Sequence, residues 1–166
     1  MTAATAKDDP HASEVFALRA CGFAGRARIS FELGDPTLGE RNATSARAML
    51  AEFEQLRGSD QRYRAMLSTA MLALSAAEAA ARGDANFFRT QLADGSDGAE
   101  ERLPIIARGV RMFASRADEP AAACELLTLA DQALQRTIDA RATPASKPSL
   151  VAAKGLVDED RKKRCR

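Results

Sequence analysis

The sequence predicts an all-α protein, a bundle of about four helices, and three observations carry that prediction. Apolar side chains recur at steps of three and four residues through most of positions 42–141. Capping residues and glycines, such as Gly58-Ser59, Gly83-Asp84 and Asp118, bound these periodic stretches. Aromatic residues are only 5% of a chain that is 46% hydrophobic, and much of the rest of that fraction is alanine, so the core has to rely on close helix approach rather than bulk. The 166 residues suit one domain with tails.

Residues 1–12 are small, polar and interrupted by Pro10, and are expected to be disordered. Ser13 can cap a short helix carrying Val15, Phe16 and Leu18 and ending at Gly22. Arg28 to Leu33 then alternate polar and apolar residues, which is a strand pattern. Both a second short helix and a hairpin therefore fit residues 13–33. Gly34, Pro36 and Gly39 mark a loop.

A single helical domain is expected over 13–142, with helices near 43–57, 60–82, 85–93, 100–117 and 119–141. Asn42, Thr44 or Ser45 can cap the first, whose apolar face is Ala46, Met49, Leu50, Phe53 and Leu56. The second carries a heptad seam, Tyr63, Leu67, Ala70, Leu74 and Ala77, continuing to Ala81. Asp84 caps a short helix with Phe87, Phe88 and Leu92. Ile106, Val110, Phe113 and Ala117 form the apolar face of the next, where Pro104 suits a first turn and would kink a longer helix. Asp118 caps the last, with Pro120 in its first turn and Leu127, Leu134 and Ile138 turned inward. Pro144 and Pro148 then begin a basic tail, 143–166, expected to be disordered and dispensable for folding.

The net charge of +1 is unevenly spread: the tail holds seven cations against three acids, and four of the five lysines. Cys21, Cys124 and Cys165 are odd in number and widely spaced, which suggests neither a disulfide framework nor a zinc site and fits a reducing, cytoplasmic setting. Residues 1–10 lack the apolar stretch of a secretory leader. Export without a leader stays compatible with the sequence. The longest uncharged helical run, Ala65 to Ala77, is too short to span a bilayer.

No motif in the chain carries a recognisable chemistry. Gly34 to Gly39 has the glycine spacing of a phosphate loop, but Glu40 and Arg41 stand where lysine and a hydroxyl residue are needed. Counted from Asp94, a calcium loop would need acids where Gly98 and Ile105 stand. His11 is the only histidine, so catalytic triads and di-iron bundle sites lack their ligands. No catalytic, cofactor-binding or metal-ligating residue is assigned. Asn42-Ala43-Thr44 fits a glycosylation acceptor, though helix capping is the preferred reading.

Two surfaces stand out. The run Ala65 to Ala77 carries no charge on any side, so its helix is either central in the bundle or covered by a partner. Arg102, Arg108, Arg111 and Arg116 lie opposite the apolar face of their helix, forming a candidate surface for a polyanion or partner. The bland reading of those arginines is pairing with acids of neighbouring helices. The cluster Arg161 to Arg166 gives weak attraction to polyanions. The sequence therefore points to a non-enzymatic helical protein-interaction module, with self-association as one form. A nucleic-acid-associated protein using the arginines and tail is the alternative, and an unfamiliar small enzyme, which would show a deep polar pocket, is the third class.

Overall fold

The computed structural model describes residues 11–56, 61–95 and 98–165, which form seven α-helices and no strand. They are α1 (Ala12–Glu32), α2 (Pro36–Glu54), α3 (Gln61–Arg82), α4 (Ala85–Ala93), α5 (Ala99–Arg116), α6 (Pro120–Ala140) and α7 (Lys147–Arg164). The expected all-α class is what is found, with more helices than the four or so expected. The chain divides into two units, Met1–Leu74 and Ser75–Arg166, and the division falls inside α3. The turn expected at Gly58-Ser59, and most of the disordered start expected over 1–12, lie outside the described residues.

The first unit corrects the reading of residues 13–45. Neither a hairpin nor a pair of short helices forms: Ala12 to Glu32 is one helix running through Gly22 and Gly25. Phe16, Ala17, Ala20, Ala24, Ala27, Ser30 and Phe31 make its buried face, at helical spacing. The alternation at 28–33 is therefore not that of a strand, because Ile29 and Leu33 point outward, while Ser30 is buried with its hydroxyl donating to the Arg26 carbonyl.

α1 turns back through Gly34, whose φ of +82° suits glycine, and α2 begins at once. The Asp35 carboxylate accepts from the Leu38 amide, and Pro36 occupies the first turn, so Asp35 is the cap. Asn42, Thr44 and Ser45 are interior instead, each donating to the carbonyl four residues back. Gly39, read as a loop residue, lies inside α2, and its lack of a side chain makes room for Phe31, whose ring would stand 2.6 Å from a Cβ there. Small residues thus set how closely α1 and α2 pack, as the alanine content suggested. Ala12, Phe16, Ala17 and Ala20 join Phe53, Leu56 and Leu67 in one buried cluster, flanked by Met49, Leu50, Tyr63 and Met66.

In the second unit α3 is almost wholly buried from Ala76 to Ala80, Glu78 included. Arg82 holds the Glu78 carboxylate at 2.8 Å, which makes that burial tolerable. Phe88 of α4 is fully buried and meets Phe87 and Phe113 edge to face, at centroid separations of 5.2 and 5.9 Å. Gly109 lets α5 close on this ring, since a Cβ would stand 2.8 Å from Phe88 and 2.9 Å from the Ala76 Cβ. α5 begins at Ala99 with Gly98 before it, leaving Pro104 inside the helix. Glu119 rather than Asp118 stands at the cap of α6 and makes no side-chain capping bond, while Pro120 opens the helix.

The largest correction concerns residues 143–166, which are not a disordered tail over 147–164. They form α7, packed on both α5 and α6. Pro148 does not interrupt it, because it lies in the first turn, where no helical amide is needed. The Ser146 hydroxyl accepts from the Thr143 amide and folds the turn that precedes it. Leu150 and Val157, seven residues apart, are fully buried. Lys154 and Arg161 share their side of the helix and both reach Asp131 of α6, at 2.8 and 3.3 Å. Asp131 Oδ1 has no hydrogen bond of good geometry, so its hold on Lys154 is ionic. Asp160 binds Arg111 of α5 at 2.6 Å. Of the acidic residues 158–160, Asp160 docks the helix on α5, while Asp158 pairs within α7 with Arg161 and Lys162. Hydrogen bonds from Lys162 and Arg161 hold the Asp158 carboxyl below the usual carboxylate range.

A disulfide between Cys124 and Cys165 fastens the far end of α7 to α6. It closes a sequence separation of 41 residues. By chain entropy such a link contributes about 4 kcal/mol.

Candidate functional site

The four arginines of the candidate surface all lie on α5, but the structure does not present them as one free basic face. Arg102 is half-buried and binds the Asp94 carboxylate at 2.8 Å. Arg111 is half-buried against Asp160. Arg108 and Arg116 are exposed. Arg102 and Arg111 are thus committed to carboxylates, and a polyanion would have to displace Asp94 and Asp160 to reach them. Those acids are not the expected ones on the neighbouring helices: Asp94 follows α4, and Asp160 lies on α7, which was read as a tail.

The heptad seam is inward-facing at its central positions. Leu67, Leu74 and Ala77 are buried, and Tyr63 and Ala70 are half-buried. Tyr63 and Leu67 pack into the cluster around Phe16 and Phe53. Ala65, Ser68 and Thr69 form the exposed side of the uncharged run. A groove of about 310 Å³ opens between α2 and α3, lined by Leu50, Phe53, Leu67 and Met71 with Glu54 and Arg64 at its polar edge.

A second cavity, about 570 Å³, lies in the second unit where α3 and α5 end and α4 and α6 begin. Arg82, Arg89, Arg116, Asp118 and Glu119 line it among alanines and Phe113. Arg89 makes paired hydrogen bonds to Glu125, at 2.8 and 2.7 Å. That hydrogen bonding holds the Glu125 carboxyl below its usual range and raises the Arg89 guanidinium. The support this pair gives is present above the ordinary carboxylate range and fades as pH falls through the lowered value. Asp118 and Glu119 are the lining groups able to hold or pass a proton; the rest of the lining has no histidine, cysteine or hydroxyl side chain. Among the described residues no group of three or more His, Cys, Asp or Glu is gathered as a metal site.

Sequence reasoning missed the outer face of α1. Leu18 is 53% exposed, Ile29 48% and Leu33 81%, all on the side opposite the alanine face. Gly22 and Gly25 lie between them with nothing within 4 Å of where a Cβ would be. Leu18, Gly22, Gly25 and Ile29 follow steps of four, three and four, which aligns them on one narrow stripe. The signal was present in the sequence, but it is legible only once residues 12–32 are read as one helix.

The cysteines also differ from expectation. Cys124 and Cys165 are paired, and Cys21 is free, its thiol pushed up by burial. The reducing, cytoplasmic setting was inferred from three unpaired cysteines, and this pairing removes that basis. No described helix is long and apolar enough to cross a membrane. No family model, curated protein or solved structure matches the chain.

Proposed function

We propose that this protein is a helical protein-interaction module that associates with a second copy of itself through the outer face of α1. The observation that carries the reading is the exposed stripe Leu18, Gly22, Gly25 and Ile29 on a helix already anchored by its other face. Large exposed apolar side chains aligned on one face are the mark of an interaction surface. The spacing supports a second copy as the partner, because it reads the same in both directions. An antiparallel copy sets each Leu18 against the other's Ile29 and brings the glycines together at the crossing, where backbones approach closely. Arg19 and Arg26 lie together on one side of the stripe. A two-fold pairing of identical patches closes on itself and gives a dimer rather than a fibre.

Sedimentation of the native chain and a Leu18→Glu/Ile29→Glu variant tests this. The native mass is expected to rise with concentration from 17.7 kDa toward twice that value. The variant is expected to stay at the single-chain mass with an unchanged melting temperature, since both positions are exposed. A native chain that remains at 17.7 kDa at every concentration contradicts the proposal.

A further inference from the structure

We propose that the Cys124–Cys165 disulfide is a redox latch on α7: oxidised, it holds α7 against α5 and α6; reduced, it lets α7 leave and uncovers the groove around Asp131. The latch belongs to the second unit and does not depend on association through α1.

Three features of α7 point to this. Its non-covalent hold is thin: of eighteen residues only Leu150 and Val157 are buried. The ion pairs that accompany them, Lys154 and Arg161 on Asp131 and Asp160 on Arg111, involve groups that water readily resolvates once the helix lifts. The disulfide sits at the far end of α7, directly after its last turn, so breaking it frees the helix from that end while the Thr143–Ser146 turn tethers the other. Finally, the bond is reachable, because Cys165 is exposed and Cys124 only half-buried.

The register of α7 defines what the groove receives. Leu150, Lys154, Val157 and Arg161 fall at steps of four, three and four. The two apolar side chains fill sockets on α5 and α6, and the two cations clasp Asp131. Once vacated, the groove offers an acid flanked by apolar sockets, which suits an amphipathic basic helix.

The exchange needs a dithiol as reductant. One of its thiolates attacks a sulfur of the cystine, the S–S bond breaks, and the other cysteine departs as a thiolate. The dithiol's second thiol then displaces the mixed disulfide, so two electrons pass to the protein and the dithiol becomes a disulfide. Lys162, Lys163 and Arg164 precede Cys165, and their positive charge stabilises it as the departing thiolate.

Amide exchange on the full chain, air-oxidised and in dithiothreitol, tests the latch. Reduction is expected to speed exchange over 147–164 by on the order of 100-fold or more. Exchange over α5, at 103–114, is expected to stay far slower than over α7 in the reduced chain. A Cys165→Ser variant should show fast α7 exchange with or without dithiothreitol, and a Cys21→Ser variant should respond as the native chain does. Equal protection of α7 in both states overturns the proposal. So does joint loss of protection in α5 and α7, which would make the disulfide a staple of the whole unit.

Discussion

Leu67→Asp is expected to abolish the cooperative thermal transition of the first unit and strip much of its helical signal. Leu67 is only 3% exposed, packed among Phe16, Phe53 and Leu56, and Arg64 stands only at the exposed edge of the neighbouring groove. Loss of the buried side chain and burial of an unpaired charge together cost about 4 kcal/mol or more. A domain of this kind has roughly 5–15 kcal/mol in all. Ser68→Asp, one residue along and exposed, should leave the melting temperature nearly unchanged. Circular dichroism on the two variants checks both outcomes. A well-folded Leu67→Asp chain with native melting would overturn the assignment of Leu67 to the core.

Removal of residues 143–166 is expected to leave a folded but much less stable protein. The truncation takes away Leu150 and Val157, whose burial is worth about 3–6 kcal/mol. The cost of ordering the segment offsets most or all of that, so the net hold comes largely from the disulfide that the truncation also removes. A net loss of about 2–4 kcal/mol lowers the melting temperature of the second unit by roughly 10–20 °C. Asp131 and Arg111 stay soluble in the truncated chain because the groove they line becomes open to water. Calorimetry on the truncated and native chains measures the difference, and identical melting would mean that α7 adds nothing to the unit.

The parts legible in the sequence are those where large apolar side chains repeat at helical spacing between clear caps. Helices α3 to α6 fall within a few residues of their expected spans, and Phe53, Leu67, Phe88, Val110 and Leu134 are buried as read. α1 was obscured by residues that look like breakers. Gly22 and Gly25 carry no local instruction to stop when a well-packed alanine face supports the helix on its other side. The outward turn of Ile29 and Leu33 depends on where α2 lies, which local pattern does not encode.

α7 was obscured by composition. Its charges resemble a solvated tail, and its two buried residues are too few to register as an apolar face. The spacing of Leu150 and Val157, with Lys154 and Arg161 interleaved, was the available signal, and Pro148 was read as a breaker when it is an opener. The disulfide left no trace in the sequence, since Cys124 and Cys165 are distant in the chain and meet only through the fold. Of the α5 arginines, Arg108 and Arg116 are exposed, whereas Arg102 and Arg111 are half-buried. The partner of Arg111 could not be named without α7, because Asp160 belongs to it.

Docking of α7 is the point on which the fold of the second unit and its proposed latch both turn. A peptide map of the purified, air-oxidised chain, alkylated while denatured and digested without reductant, tests it most directly. The predicted result is one disulfide-linked pair of peptides, containing Cys124 and Cys165, with alkylation at Cys21 alone. Alkylation of Cys124 and Cys165 as separate free thiols would contradict it, because the end of α7 would then not lie beside α6.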